Sequence, residues 1–256
     1  MNTALVCIAK NEDHYIDEWL DYHFKLGFSQ IFVYQNDWRY RGKYLEDNRI
    51  HLLQCDGTYR QLPAYNHFIK NFFDKFDWAG FIDVDEFIVL KQDKNISSFL
   101  KNYNEYNSLG LCWSMFGSNG LTFDGDYSLV RRFTKCKKEL DSHIKCFINF
   151  NQAKDSLIFS SHTHNINLPN KTISVDKSHF INDYYDKDKK DDRSIAYINH
   201  YYTKTKDEWK EKIARGFAWP IALPPNYENI FRDRCDTPDY NEYEDLTAYN
   251  FMYKGD

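Results

Sequence analysis

The chain has 256 residues, a net charge of -5 and 42% hydrophobic residues, with 20 Tyr and 20 Phe among them. This composition is typical of a globular protein and excludes a disordered chain. Because Lys and Arg are widely spread and acidic residues outnumber them, it also argues against a nucleic-acid-binding protein that relies on phosphate contacts.

The first 90 residues alternate between predicted strands and predicted helices. A helix is predicted between the N-cap candidate Asn11 and the C-cap candidate Gly27, and a second one over residues 62–76. Strands are predicted at residues 3–8, 30–34, 50–53 and 78–82. This order predicts an α/β fold of the Rossmann-like type, with a mainly parallel sheet flanked by helices. Ligands bind at the carboxyl ends of the strands in such sheets.

The second half is less regular, and a charged, solvated loop is predicted at residues 183–193. A helix is predicted over residues 207–215. Further strands are predicted at residues 109–116, 128–133, 145–150 and 195–202. We expect a single catalytic domain over residues 1–216, followed by a C-terminal extension over residues 217–256. This aromatic-rich extension either packs on the domain, covers an acceptor groove or contacts a membrane interface.

Cysteine usage and the absence of targeting signals predict a cellular location. The six cysteines show no C-x-x-C spacing, which favours buried free thiols in a reducing compartment. No stretch resembles a signal peptide or approaches 18 apolar residues. We therefore expect a cytoplasmic protein, with peripheral contact at the inner face of the membrane left open.

The most informative stretch is FIDVDEFIVL, where Asp83, Asp85 and Glu86 interrupt an apolar run. Carboxylates are costly to bury unless they are paired or bind a cation. In a strand, Asp83 and Asp85 would point to the same face. Such a pair suits a divalent ion that bridges to the oxygens of a diphosphate. The alternative is a solvated acidic corner with a structural role only.

Two other polar clusters follow predicted strands. Asn11 and Glu12 come after the first strand, and Asn36 and Asp37 come after the second. Together with the carboxylates that start at Asp83, these clusters are expected at one edge of the sheet.

An ordered set of sequence blocks resembles the DxD glycosyltransferases of the GT-A fold, and is closest to their family-2-like and family-92-like groups. The resemblance covers residues 3–216. Its blocks are Ala9-Lys10-Asn11-Glu12 with Trp19 and Gly27, FIDVDEF, WSMFGSNG at 113–120, RRF at 131–133 with Lys145, and INHYYTKTKDEW with Lys212 and Arg215-Gly216.

The resemblance implies a nucleotide-sugar donor, most often a UDP-sugar, and a divalent metal ion, Mn²⁺ or Mg²⁺. It makes Asp85 the more direct metal ligand, with Asp83 on the metal shell or the ribose. His200 matches a third metal ligand. The remaining donor-site candidates are Asn11 and Glu12 in the nucleotide-binding loop, Asn36 and Asp37 near the nucleoside, and His164 in the wall of the site.

Glycosyl transfer also needs groups that stabilise negative charge on the leaving phosphate and, for inversion, a base that removes the proton of the acceptor hydroxyl. Lys145 and Arg132 are candidates for stabilising the charge on the leaving phosphate. Inversion is implied by the resemblance alone, and it requires a base for the acceptor hydroxyl. Asp141 is the first candidate for this base. The alternatives that the sequence leaves open are Glu139, Asp155, Asp124 and Asp126. The expected acceptor is a glycan, free or lipid-linked, as in lipopolysaccharide, lipooligosaccharide or capsule.

Other protein classes use paired carboxylates in a similar way. A magnesium-dependent phosphatase with an aspartyl nucleophile also ends a strand with D-x-D, but its motif continues into Thr, whereas Glu86 and Phe87 follow here. A nucleotidyltransferase would share the α/β sheet and the use of paired carboxylates to bind a metal ion. A carbohydrate-binding module would explain the aromatic residues but not the paired acids.

Overall fold

The computed structural model describes residues 1–153, 172–190, 193–216 and 238–254. Its first half alternates strands and helices as the sequence predicts. These elements are β1 (Thr3–Ala9), α1 (Ile16–Leu26), β2 (Gln30–Gln35), β3 (Ile50–Gln54), α2 (Gln61–Phe72) and β4 (Trp78–Phe81). Strand β1 pairs in parallel with β2 and β4, and β2 pairs in parallel with β3. The carboxyl ends of these four strands therefore lie along one edge of the sheet.

The second half extends the same sheet with mixed pairing. Its elements are β5 (Glu86–Leu90), α3 (Ile96–Lys101), β6 (Ser108–Met115), α4 (Leu129–Arg132), β7 (Lys135–Cys136), β8 (Asp141–Asn149), β9 (Thr172–Ile173), β10 (Phe180–Ile181), β11 (Ala196–His200), α5 (Lys206–Ala214), β12 (Tyr243–Glu244) and α6 (Thr247–Tyr253). Strand β8 lies antiparallel between β4 and β6. Strand β11 pairs antiparallel with β5 and parallel with β6. The predicted α/β class is confirmed, with a sheet that is parallel in its first four strands and mixed beyond them.

The sheet separates two apolar cores, because alternate residues of its strands point to opposite faces. On β1, Leu5 and Cys7 belong to the larger core with Trp19 of α1. Val6 of the same strand belongs to the smaller core, where it joins Phe68 of α2. Helices on both faces thus hold the strands buried and fix the positions of the loops that follow them.

Two local predictions are wrong. Helix α1 begins at Ile16, and Asn11 lies before it in a left-handed conformation, with φ of 53°, so Asn11 is not its N-cap. Residues 128–133 form a short helix and not a strand. Ser128 caps this helix by accepting a hydrogen bond from Arg131 N. Gly27, by contrast, ends α1 as predicted, with φ of 101°.

Residues 238–254, the last part of the chain that the structure describes, contact β7, β11 and α1. Strand β12 pairs with β7, and Tyr197 of β11 donates a hydrogen bond of 2.7 Å to Asp245. In α6, the Phe251 ring lies 5.0 Å from that of Tyr22 in α1. These contacts tie the C-terminal helix to α1 and β11.

Two further sequence predictions concern the burial of the cysteines and the absence of a membrane-spanning helix. The five cysteines in the described ranges are buried, as expected, while Cys235 lies outside those ranges. None of the helices that the structure describes combines the length and apolar character needed to cross a membrane.

Candidate functional site at the carboxyl edge of the sheet

The loops after β1, β2 and β4 converge with the end of β11 at one edge of the sheet. Three residues here adopt left-handed backbone conformations that non-glycine residues rarely use: Asn11, Asp37 and Lys204, with φ of 53°, 48° and 58°. Such strain is found mostly where the surrounding structure enforces it for a functional purpose. Lys10 Nζ lies 3.4 Å from Asp37, and Arg215 interacts with both Glu12 and Asp85, so the three strand-end clusters predicted from the sequence lie close together.

Asp83 lies in the turn between β4 and β5, and not within a strand as the same-face argument assumed. Its Oδ2 accepts a hydrogen bond of 2.8 Å from Lys145, and its Oδ1 accepts one of 2.8 Å from Gln61. Both carboxylate oxygens are thus already held by the protein. About a third of the side chain stays exposed, so Asp83 can still contact a ligand from the rim of the site.

Lys145 of β8 is fully buried beneath the turn. Its Nζ lies 2.8 Å from Asp83 and 3.5 Å from Glu86, which is itself fully buried. Although burial opposes the charge on Lys145, the two carboxyl groups outweigh it and raise the pKa of the lysine. Glu86 Oε2 also accepts a hydrogen bond of 2.8 Å from Asp83 N. Lys145 and Glu86 therefore fix the shape of the carboxylate turn from below.

Asp85, in the same turn, forms ion pairs with two other lysines. Its Oδ2 lies 2.6 Å from Lys212 Nζ and 3.7 Å from Lys204 Nζ. Burial is the largest single influence and disfavours the carboxylate, but the two ammonium groups together hold the pKa of Asp85 well below its usual range. Asp85 is therefore ionised at neutral pH although it is buried.

His200 ends β11 directly across from Glu86 and beside Asp85. Its Nε2 lies 3.6 Å from Asp85 Oδ1. Burial lowers the pKa of His200, so the ring is neutral and carries a nitrogen lone pair. Its other nitrogen, Nδ1, is buried and has no hydrogen-bond partner among the described residues.

Asp85 and His200 fit a divalent ion as two of its ligands. Oδ1 of Asp85 faces a neutral imidazole nitrogen, while the lysines lie on Oδ2. Within the described ranges, no three His, Cys, Asp or Glu side chains form a ready-made cation site. A divalent ion held by Asp85 and His200 would therefore need further ligands from substrate phosphates or water.

Lys204, Lys212 and Arg215 form a cluster of positive charge, here called the cation cluster, around a cavity of about 250 Å³. Arg215 pairs with the buried Glu12, whose second oxygen, Oε2, has no hydrogen-bond partner in the part of the chain that the structure describes. Lys204 is buried, and burial lowers its pKa to about 8 even though Asp85 favours its charge. Glu12, predicted to bind the nucleotide, thus holds Arg215 at the wall of this cavity.

A second, wider cavity of about 680 Å³ opens beside the loop after β2 and is lined by Asp13, Asp37, Trp38, Arg39, Arg41 and Asp56. Asp13 lines both cavities, so they adjoin. Asn36 does not face this space, because its amide donates to the carbonyls of Cys55 and Gly57 at 2.8 and 2.7 Å. Asp37 remains 43% exposed beside Lys10, while the sequence-predicted Asn11 lines the smaller cavity.

Arg132, a candidate for phosphate stabilisation, is occupied elsewhere. Its guanidinium forms two hydrogen bonds to Glu208, at 3.0 and 2.6 Å, and both side chains are buried. Glu208 also accepts from Tyr15 at 2.8 Å and from Thr205 at 2.6 Å. We call Arg132 and Glu208 the closed pair, because each charge is fully matched within the protein.

Asp141, the candidate base, lies at the start of β8 and contacts a histidine. Its Oδ1 accepts hydrogen bonds from N and Nδ1 of His143 at 2.9 and 2.6 Å. The His143 ring stacks on Trp113 at 4.8 Å, and Trp113 in turn contacts His200 at 4.3 Å. The remaining candidate, His164, lies outside the described residues.

Several residues of this edge were not assigned a role from sequence. Lys204, Lys212 and Arg215 stood only as parts of a family block, and His143 was not singled out. A signal was nevertheless present. Three basic residues lie on and beside a predicted helix, and clustered positive charge attracts anions.

Comparison with known proteins shows the family of the chain. The model of glycosyltransferase family 92 matches residues 56–218, more than half of the chain. A glycosyltransferase family 92 protein of Ricinus communis is 24% identical over 244 residues, covering 89% of this chain and 40% of the relative. One of Oryza sativa subsp. japonica is 22% identical over 253 residues, covering 91% and 39%. The chain thus spans about two fifths of the length of these curated relatives.

Among solved structures, HddC from Yersinia pseudotuberculosis covers 68% of this chain and 90% of its own, at 12% identity. Its TM-score of 0.35 is too low to relate the two folds. The family match, by contrast, includes the carboxylate turn, β8, β11 and α5, which together build the site. The chain belongs to glycosyltransferase family 92.

Proposed function

We propose that the protein transfers a sugar from a nucleotide-diphosphate sugar, a UDP-sugar in the first instance, to a hydroxyl group of a glycan. The observation that carries this proposal is the cation cluster around a cavity beside the buried, ionised Asp85. Three cations and one open cavity suit a diphosphate, whose charge they can neutralise. Membership of family 92 supports the same class of reaction.

The cation cluster would hold the diphosphate before and after bond cleavage. All three cations line the cavity, with Lys212 on α5, Arg215 just after it and Lys204 in the loop before it. Negative charge on the diphosphate grows as the sugar leaves, so these cations interact more strongly with the transition state than with the bound donor. Lys145 would act indirectly, because it is buried and holds Asp83 in place.

Asp85 and His200 would hold a divalent ion, Mn²⁺ or Mg²⁺, in contact with the donor. When bound, such an ion supplies a Lewis acid that stabilises charge on the leaving phosphate. Asp83, with both oxygens bonded to protein groups, would contact the ribose or the outer shell of the ion.

The wider cavity beside Trp38 and Asp37 would take the nucleoside. It adjoins the cation cluster through Asp13, whose carboxylate accepts a hydrogen bond of 2.7 Å from the Trp38 indole. Asp37 is exposed there and can accept hydrogen bonds from ribose hydroxyls or the base edge. The resemblance of the chain to inverting glycosyltransferases further supports inversion at the anomeric carbon.

A donor screen tests the proposal. The protein is incubated with UDP-glucose, UDP-galactose and UDP-N-acetylglucosamine, with Mn²⁺ or with EDTA, and the products are separated by chromatography. We expect slow release of UDP from at least one donor, in the presence of Mn²⁺ only. Release of phosphate from phosphate monoesters would favour the phosphatase, and formation of a nucleotide sugar from UTP and a sugar phosphate would favour the nucleotidyltransferase. Either result without UDP release would contradict glycosyl transfer.

A further inference from the structure

We propose that His14 binds the diphosphate of the donor through an imidazole N–H, and that Tyr127 positions His14 for this contact. The inference rests on the proposed function, because it adds a residue to the proposed diphosphate site. His14 lies in the loop between β1 and α1, and Tyr127 lies shortly before α4. Neither residue was singled out in the sequence.

The loop after β1 contributes to the same cavity that the cation cluster lines. Its lining residues are Asn11, Asp13, His14 and Tyr15. His14 is exposed, and none of the described residues forms a hydrogen bond or an ion pair with its ring. Asp13, by contrast, already accepts a hydrogen bond of 2.7 Å from the Trp38 indole. His14 can therefore offer an N–H to a ligand in the cavity.

The ring of His14 is held in one orientation by its stacking on Tyr127. The two ring centroids lie 3.7 Å apart, and the rings are nearly parallel, with an interplanar angle of 6°. Tyr127 is itself surrounded by aromatic rings, because Phe123 lies 4.7 Å and Tyr15 5.9 Å from it. A side chain that is ordered before binding loses less conformational freedom when the ligand arrives. Tyr127 thus makes a contact of His14 with a ligand more favourable.

The position of Tyr127 follows from contacts of the next two residues with α1. Glu18, in the first turn of α1, accepts a hydrogen bond of 2.5 Å from Ser128 Oγ and one of 2.7 Å from Leu129 N. These bonds tie the chain directly after Tyr127 to the start of α1. They therefore keep Tyr127 beside the loop that carries His14.

The proposed contact does not depend on the charge of His14. A neutral imidazole carries one N–H, on either of its nitrogens, and an imidazolium carries two. A phosphate oxygen therefore finds a donor in each state, and it favours the tautomer that donates to it. Because the cations of the cation cluster already pair with Asp85 and Glu12, a donor without a carboxylate partner adds to the stabilisation of a bound diphosphate.

Calorimetric titration of the full-length protein with UDP and with uridine, both in the presence of Mn²⁺, tests the contact. In His14→Ala we expect the Kd for UDP to rise by about tenfold, because a hydrogen bond to a charged group is lost. The Kd for uridine, which has no phosphate, should be unchanged. His51→Ala is the matched control. His51 also stacks on an aromatic ring, that of Phe32 at 4.3 Å and 14°, but it lies in β3 and does not line the cavity, so both constants should be unchanged.

Variants of Tyr127 test the positioning. Tyr127→Ala removes the stacked ring and should raise the Kd for UDP by about threefold. Tyr127→Phe keeps the ring and should bind UDP as the wild type does. The double variant of His14→Ala and Tyr127→Ala should bind UDP no more weakly than His14→Ala alone, because Tyr127 acts through His14. A further loss in the double variant would overturn the positioning role of Tyr127.

Two results would overturn the role of His14 and leave the proposed function intact, provided that the wild type binds UDP. An unchanged Kd for UDP in His14→Ala would exclude His14 from the diphosphate site. An equal rise of the Kd for UDP and for uridine would assign His14 a structural role. If the wild type does not bind UDP, the proposed function fails, and this inference fails with it.

Discussion

The closed pair and the cation cluster each have one member on helix α5, Glu208 and Lys212, and they differ in how their charges are matched. Glu208, in the first turn of α5, is bonded to Arg132 and also accepts from Tyr15 and Thr205. Lys212, one turn later, shares Asp85 with Lys204. The closed pair is neutral, and its Glu208 lines the cavity already bonded to Arg132. The three cations of the cation cluster pair with Asp85 and Glu12, and Asp13 and Glu211 also line the cavity.

This difference separates a structural network from a binding network. A buried charge pair with all its hydrogen bonds made has nothing left to offer a ligand, and it stabilises one arrangement of the chain. Cations that line a cavity and are not fully neutralised by carboxylates are stabilised by a bound anion. The comparison therefore predicts that mutations in the first network change stability and that mutations in the second change ligand binding.

The largest expected effect follows from loss of Asp85. Asp85→Ala removes a carboxylate that holds both Lys212 and the proposed divalent ion, and such stabilisation is worth several kcal/mol. We expect transfer to fall by at least about 10³-fold. Turnover of donor with Mn²⁺ measures this, and Asp85→Asn, which keeps the shape of the side chain, should be similarly impaired. Near-normal turnover with unchanged metal dependence would show that the metal-site proposal is wrong.

Loss of Arg132 should act on stability instead. Arg132→Ala leaves the Glu208 carboxylate buried without its cation, which costs about 3–5 kcal/mol. Urea denaturation measures the free energy of unfolding. The control is Arg131→Ala, which breaks an exposed pair with Asp126 and should cost less than about 1 kcal/mol. Comparable losses in the two variants would contradict the structural role of the closed pair.

Mutation of His200 distinguishes a role in metal binding from a role in core packing. Removal of a ligand should raise the Mn²⁺ concentration needed for half-maximal activity by more than about tenfold in His200→Ala. His23 is the control, because it is a fully buried histidine whose two ring nitrogens bond Trp19 O and Ile88 N. His23→Ala should lower Tm and leave the metal requirement unchanged. If His200→Ala behaves in the same way, His200 is a core residue.

The smallest expected effect is on nucleotide affinity. Lys212→Ala removes one charge-assisted contact to phosphate, so we expect the Kd for UDP to rise by about tenfold. Calorimetry measures this. Lys210→Ala, on the same helix but with an exposed ammonium, should leave the Kd unchanged. Equal affinities of the two variants would remove Lys212 from the diphosphate site.

The sequence predicts the first half of the fold well, because strand and helix periodicities are clean from Thr3 to Phe81. It also predicts that the strand-end clusters meet, since parallel strands bring their carboxyl ends together. It does not predict the short helix at 128–133, where Leu129, Val130 and Phe133 fit a helical spacing as well as a buried strand.

The partners of the charged residues were beyond sequence reasoning. Arg132 meets Glu208 across 76 residues, and Lys212 meets Asp85 across 127. Arg132 and Lys145 were equivalent sequence candidates for phosphate binding, and only tertiary contacts show that Glu208 and Asp83 already match their charges. The same holds for His143, whose contact with Asp141 depends on a bulge that no local pattern reveals.

The central claim is that the cation cluster binds a nucleoside diphosphate through its phosphates. The most direct measurement is calorimetric titration of the wild-type protein with UDP and with uridine, both in the presence of Mn²⁺. Our account predicts measurable binding of UDP and an affinity for uridine at least about tenfold weaker, because the three cations contact only the diphosphate. Equal affinity for the two ligands, or no binding of UDP, would contradict it.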